Sequence, residues 1–526
     1  MGDEDYLFQR DCGILLHPTS LPNDYGVGDF GPAAIRWIDF LSESGQNLWQ
    51  ILPLNPAGYG DSPYQGLSAF AANPVFLSPE SVYAEGLISK DLLRSLEIPS
   101  GSEVDYARVY AHKLTLSEVA TDKFFKLEAD HPLRKAFASF LESEADWIHD
   151  FACFYALKKS FGGVAWTDWP GGFRDRAPEA LERAESALAG DIMRAKMEQF
   201  LLRRQWDTVR AAARKRDIRI IGDLPIFVAH DSVDVWCQRD LFRLNEDGRP
   251  SVVAGVPPDY FSSTGQLWGN PLYRWDKHRD DGFTWWRNRL KQTLAWVDVV
   301  RVDHFRGFDA CWEIPGNAKT AMDGRWIPAP GREVFEKFAE DWGWPLPVIA
   351  EDLGVITPEV VELRDAFKLP GIRIEQFAFG TDPMRHTFAP ESYQQNCVAY
   401  TGTHDNDTVV GWFNSTAGEG STRSAEQIEA ERSDALSYLG SDGSDIHFDF
   451  IRSLFASDCG AAVVPIQDVM GLGSQARMNT PGQPSGSWRW RLESFELLKP
   501  AMLQLTVLTS KTERGSHAPE TTRLYP

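Results

Sequence analysis

The sequence predicts an interrupted (β/α)8 barrel of the TIM type, on three observations. Eight short apolar runs recur along the chain, each closed by a polar, Gly or Pro turn. Helical patterns lie between most of them, as expected for parallel strands joined by crossover helices. The spacing is uneven, with one gap of about 160 residues that no ordinary βα connection spans.

The runs are 13–17 (GILLH), 48–54 (LWQILPL), 218–223 (IRIIGD), 296–303 (WVDVVRVD), 347–351 (PVIAE), 372–377 (IRIEQF), 398–401 (VAYT) and 461–467 (AAVVPIQ). Their near-continuous apolar content marks strands buried on both faces. Amphipathic periodicity predicts helices over 33–43, 198–215, 284–294, 332–342 and 358–367. Residues 1–89 hold the first two strands and the loop after them. Residues 90–205 are rich in Leu, Ala, Glu and Lys at helical spacing. They are predicted as a mostly helical inserted subdomain, with 137–160 as one long helix. Residues 206–511 complete the barrel. Within them 254–275 has too many Pro and Gly for a helix and is predicted as a lid loop over the barrel mouth. Residues 512–526 form a polar tail expected to fray. The barrel and its insertions use nearly all of the chain, so no C-terminal β-sandwich domain is expected.

At 526 residues and 43% hydrophobic content, the chain has material for a barrel with large insertions. Its 19 Trp and 31 Phe exceed what packing alone suggests, and aromatic faces stack on sugar rings. A formal net charge of −22 argues against nucleic acid or an anionic membrane as partner and suits a neutral substrate. Six scattered cysteines, none in a CxxC pair, point to reduced thiols in a cytoplasm and not to a disulfide or zinc scaffold. Residues 1–10 lack the apolar core of a signal peptide, and no run approaches the length of a membrane span.

Chemistry in such a barrel sits where strands end. The fourth run ends at Asp303, the fifth at Glu351, and the seventh leads into His404 and Asp405. Two carboxylates on one rim can cleave a glycosidic bond with retention, one as nucleophile and one as acid/base. Arg301 lies two residues before Asp303 on the same strand face, where a guanidinium favours an ionised nucleophile. Glu351 must hold a proton near neutral pH, which burial and a nearby negative charge promote. Asp405 would grip the sugar hydroxyls of the distorted ring, with His404 as a hydroxyl donor beside it. A metal site built from Asp303, His304, Glu351, His404, Asp405 and Asp407 is the rival for these residue types, although no HxH or HExxH pattern organises them.

Eight ordered motifs then give the chain a family. They are GILLHPTSLP (13–22), GYGDSPYQ (58–65), GDLPIFV (222–228), GVPPDYFSSTGQLWGNPLY (255–273), RVDHFRGF (301–308), AEDLG (350–354), YTGTHDNDT (400–408) and GLGSQARMNTPG (471–482). Over about residues 13–491 the sequence resembles the amylomaltase or disproportionating-enzyme family, the 4-alpha-glucanotransferases of glycoside hydrolase family 77. The resemblance implies transfer of α-1,4-glucan segments between maltooligosaccharides, starch or glycogen chains, with large cyclic glucans as a further product. It implies Asp303 as nucleophile, Glu351 as acid/base and Asp405 as transition-state stabiliser, with no metal and no organic cofactor. It implies Arg301 and His404 as their support, Tyr59 and Ser62 on the donor side, and Asp223 near the site. Tyr260, Phe261, Gln266 and Trp268 belong to the loop over the acceptor region, and Asp382 and Asn479 match hydroxyl contacts. It further implies a monomer or weak homodimer. Ala57 stands where the family often has Thr, and Gln475 where Glu is common. An α-1,4-glucan hydrolase of the amylase clan is the enzyme alternative. A non-catalytic glucan-binding protein is the alternative from another class.

Overall fold

In the computed structural model, which describes residues 6–258, 264–380, 383–417, 423–483 and 485–515 (at Tyr59 the backbone alone), each predicted run contributes a strand to one closed barrel. The strands described are β1 (Asp11–Leu15), β2 (Leu48–Gln50), β3 (Arg219–Pro225), β4 (Val252–Val256), β5 (Gln266–Pro271), β6 (Val299–Asp303), β7 (Ala310–Pro315), β8 (Arg325–Pro328), β9 (Val348–Ala350), β10 (Gly371–Ile374), β11 (Cys397–Tyr400) and β12 (Ala461–Pro465). The barrel runs β1-β12-β11-β10-β9-β6-β3-β2, every pair parallel. Ile14 of β1 pairs with Trp49 on one side and with Val464 on the other, which closes the ring. Gly13 lets β1 and β2 approach, since a Cβ there would lie 2.2 Å from the Leu48 carbonyl oxygen. Nearly every strand residue of the ring is buried. Each large aliphatic side chain so placed contributes about 1.5–3 kcal/mol.

Several strands stop earlier than their apolar runs. β2 ends at Gln50, and the run continues as Ile51–Leu54 out of the ladder, where Leu52 N–H donates to His17 Nδ1 at 3.2 Å. β10 ends at Ile374 and turns into a 3-10 helix, Glu375–Ala378. Burial, not pairing, keeps these extensions apolar.

The segment predicted as a lid loop is partly strand. β4 and β5 pair antiparallel with each other, and β4 pairs on its other side with β7, giving a sheet of order β5-β4-β7-β8. The connections after the neighbouring barrel strands β3 and β6 thus combine into one small sheet. Its own apolar cluster is Val253, Ile314 and Ala321 with Trp312 against them.

Between β2 and β3 the chain is mostly helical. The helix predicted over 137–160 is two helices, Pro132–Ser143 and Ile148–Ser160. Trp147 caps the second with φ −137° and its indole N–H donates to Glu144 at 2.7 Å, so the chain bends while the apolar periodicity continues. One 26-residue helix, Ala189–Arg214, carries Phe200 into a cluster with Phe124, Phe137 and Phe140, then reaches the barrel. There Trp206 donates to the Trp296 carbonyl at 2.6 Å and Arg210 to that of Ala295 at 2.5 Å. A boundary at 205 therefore falls inside a helix.

After β12 the described chain holds helices and loops to Gly515. The helix Lys499–Thr512 ends in a left-handed Glu513, and Arg514 is buried, contrary to the expected fraying from 512. Arg514 donates to the carbonyls of Phe455 (2.7 Å), Ser457 (2.6 Å), Cys459 (3.0 Å) and Asp11 (3.3 Å). It thereby ties the start of β1 to the approach to β12. Residues 516–526 lie outside the described residues. All six cysteines are free thiols. No helix among the described residues is long and apolar enough to cross a membrane.

Candidate active site

Neighbouring barrel strands set the first part of the site by register. Asp223 on β3 sits opposite Arg301 on β6, and Arg301 opposite Ile349 on β9. Arg301 Nη1 lies 2.9 and 2.8 Å from the two Asp223 oxygens and 3.0 Å from Asp303 Oδ1. The Asp223 side chain is wholly covered, whereas that of Asp303 is 29% exposed, so only Asp303 offers an oxygen to the cleft. Burial pushes the Asp223 carboxyl up to about 6, against the pull of Arg301. One buried guanidinium thus holds two carboxylates, and it fixes the rotamer of the one that faces out.

The chain of contacts extends from Asp223. The Tyr64 hydroxyl donates to Asp223 Oδ2 at 2.8 Å and stands 2.8 Å from His404 Nε2. The Tyr64 and His404 rings stack at 5.3 Å, and Trp488 packs on both. Sequence reasoning missed Tyr64, although it lies in the GYGDSPYQ motif from which Tyr59 and Ser62 were chosen. Ser62 Oγ accepts from Tyr64 N–H at 3.3 Å, so Ser62 stands in the turn that presents Tyr64. Tyr59 lies in the same 3-10 turn, Tyr59–Asp61, and its side chain is outside the described residues.

Glu351 follows β9 directly. Its carboxyl accepts from the backbone N–H of His304 at 2.6 Å and of Leu353 at 3.0 Å. His304 adopts a left-handed φ of 55° to turn that N–H inward, at a cost of about 1 kcal/mol for a residue with a Cβ. Burial is the main cause that raises the Glu351 carboxyl to about 7, with Arg301 pulling down and Asp303 pushing up. A carboxyl poised there can both give and take a proton near neutral pH. Burial also lowers His304 to about 4, so its ring stays neutral.

Asp405 comes from the loop after β11. Asn479 donates to Asp405 Oδ1 at 2.6 Å, and His404 Nε2 lies 3.4 Å from Oδ2. The Asp405 side chain is 45% exposed and reaches into the cleft. Arg477, also missed from sequence, donates to the Asp405 carbonyl and to the Asn479 carbonyl, both at 2.6 Å. It clamps the 471–482 segment onto the loop that carries Asp405. Asp407 is turned elsewhere, accepting from Ser474 at 2.7 Å and from Thr408 N–H at 2.8 Å. Among the described residues no group of three or more His, Cys, Asp or Glu is arranged to hold a metal ion.

The residues expected on the acceptor side are partly visible. Gln266 opens β5, and Trp268 Nε1 donates to its side-chain oxygen at 3.1 Å. The Trp268 ring meets His304 edge-on at 4.8 Å, beside the turn that serves Glu351. Tyr260, Phe261 and Asp382 lie outside the described residues.

A family of proteins described as 4-alpha-glucanotransferase matches residues 16–497. The 4-alpha-glucanotransferase of Thermus thermophilus is 47% identical over 516 residues, covering 96% of this chain and 99% of that protein. That of Synechocystis is 44% identical over 496 residues, covering 93% and 95%. The solved amylomaltase from Streptococcus agalactiae in complex with acarbose has a TM-score of 0.90 at 37% identity, covering 97% of this chain and 100% of that one. The amylomaltase from Corynebacterium glutamicum, at 18% identity and a TM-score of 0.77 over 96% of this chain and 75% of its own, shares the fold.

Proposed function

The chain belongs to the 4-alpha-glucanotransferase family, glycoside hydrolase family 77, and from that membership we propose that it transfers α-1,4-glucan segments by a retaining double displacement at this rim. The Asp303 carboxylate attacks the anomeric carbon of the donor. Glu351 gives its proton to the departing glycosidic oxygen, and the shortened glucan leaves. A β-linked glycosyl ester on Asp303 remains. The 4-hydroxyl of a second glucan then attacks that carbon. Glu351, now ionised, takes the hydroxyl proton, the ester bond breaks and the α linkage is restored. The structural observation that supports this reading is the pairing of a buried Glu351, raised to about 7, with an Asp303 locked by Arg301.

Asp405, oriented by Asn479, takes the sugar hydroxyls and binds the oxocarbenium-like ring most strongly. Transfer outcompetes hydrolysis because Trp268, packed against the His304 turn, shields the acceptor and keeps water out. When the donor chain's own far end is the acceptor, a large cyclic glucan results. Acarbose on the Streptococcus agalactiae relative supports a cleft that takes α-glucan-like ligands here also. The acidic chain, charge −22, suits a neutral substrate in a cytoplasm, as monomer or weak homodimer, without nucleic acid or membrane. Incubation with maltotriose and chelator tests the reading. A ladder of longer maltooligosaccharides plus glucose, with little gain in reducing ends, supports it. Glucose and maltose alone would make the protein a hydrolase, and no change at all would leave only binding.

A further inference from the structure

Hydrogen-bond direction can be followed through the site. Asp223, with the Arg301 guanidinium on both oxygens, only accepts, so Tyr64 spends its one hydroxyl proton on Asp223 Oδ2. The 2.8 Å contact between Tyr64 oxygen and His404 Nε2 must then be an N–H from the histidine. Nε2 therefore carries a proton, and in that tautomer of the imidazole Nδ1 is a bare acceptor. That Nδ1 is buried and has no hydrogen-bond partner among the described residues. A bare nitrogen lone pair shut away from a donor costs about as much as a lost hydrogen bond.

Beneath His404 is a cavity of about 30 Å³, lined by His17, Leu16, Thr403, Gln467 and Met478 among others. A water needs roughly 10–15 Å³ of such space and two or more polar partners. Two donors on the wall are already committed: Gln467 Nε2 donates to the Ala476 carbonyl and Thr403 Oγ1 to Asn406. His17 is different. Its Nδ1 accepts from Leu52 N–H at 3.2 Å, which leaves Nε2 as the ring's N–H. Burial lowers His17 to about 3, so it is a neutral donor, and it lines the same cavity as His404.

We propose that this cavity binds one or two waters that donate to His404 Nδ1, and that His17, through its Nε2–H, is the positioning residue that anchors them. The inference rests on the proposed reading of the site as catalytic. All bonds in the chain then point one way: His17 to water, water to His404, His404 to Tyr64, Tyr64 to Asp223. Without the anchor His404 can take the other tautomer. Two lone pairs would then face each other at the Tyr64 contact, and the ring beside Asp405 would lose its orientation.

Two variants of His17 separate this role from packing. His17→Asn keeps an acceptor where Nδ1 meets Leu52 and loses the Nε2 donor. His17→Gln keeps a donor at the Nε2 position and loses the acceptor. In H17N the maltotriose kcat should fall about tenfold, the worth of one hydrogen bond, with KM and Tm little changed. In H17Q Tm should fall while kcat stays within about threefold of the parent. A neutron structure of the unmodified protein should place a deuteron on His404 Nε2, none on Nδ1, and a water between His404 and His17. A deuteron on Nδ1, no such water, or an H17N rate at or above that of H17Q overturns the proposal. If the parent shows no transfer from maltotriose, the functional reading fails, and the neutron result still decides this one.

Discussion

Removing one hydroxyl, Tyr64→Phe, strikes the contact on which the two halves of the site meet. That oxygen joins Asp223 at 2.8 Å and His404 at 2.8 Å, so the variant loses one bond to a carboxylate and one to an imidazole. Such bonds contribute about 1.5–3 and about 1 kcal/mol respectively. Asp223 keeps Arg301 on both oxygens, at 2.9 and 2.8 Å, which holds the first loss to the low end of its range. The total is about 2.5 kcal/mol. If it is felt in the transition state, kcat/KM for maltotriose falls roughly 50–100-fold. Tm should fall by no more than a few degrees in a chain of this length. A coupled assay of glucose release gives the rate, and a crystal structure of the variant checks that the ring still stacks on His404. A loss smaller than about threefold with the ring in place would show that the hydroxyl chain from Asp223 to His404 plays no part in the reaction.

Glu351, raised to about 7, must be protonated to start the reaction, so kcat/KM should fall about tenfold per pH unit above that value. A profile flat to pH 9 would assign the proton to another group, and Glu351→Gln should cost on the order of a thousandfold with maltotriose. His278 is buried among aromatic rings, and burial lowers it to about 4 from 6.5. The unfolded chain therefore binds the extra proton first, and stability present above pH 6.5 is lost as pH falls towards 4, by up to about 3 kcal/mol. His278→Leu should narrow the difference in Tm between pH 7 and pH 4.5, and an unchanged difference would refute this. Arg514→Ala strips four carbonyls of their donor and should lower stability by about 3 kcal/mol in denaturant melts, while maltotriose transfer at 25 °C is kept. A melt unchanged by the substitution would dismiss Arg514 as a tie.

The ring of strands is legible because a parallel strand buried on both faces has nowhere to place a polar side chain. Runs such as WVDVVRVD and AAVVPIQ announce themselves, and the rim carboxylates follow at their ends. The small sheet was hidden for the opposite reason. β5 exposes half of its residues, and Gly255 and Gly269 interrupt the alternation that marks a half-buried strand. The break at 144–147 was masked by Phe137, Phe140, Leu141 and Phe151, which keep a helical spacing across a bend. Tyr64 and Arg477 escaped because their partners lie 159 and 72 residues away in sequence. Nothing local distinguishes Tyr64 from Tyr59, five residues earlier in the same motif.

The pairing of β1 with β12 also sets a timetable. β1 starts at Asp11 and β12 at Ala461, so a chain emerging from the ribosome makes roughly 450 residues between the two halves of one seam. At about 5–20 residues per second that interval is roughly 20–90 s. Through it β1 can pair with β2 but keeps its other edge open, a template for misdirected association with a neighbouring nascent chain. Arrested chains ending before residue 461 should therefore stay open to protease and to chaperone capture, and chains that have released residue 515 should not.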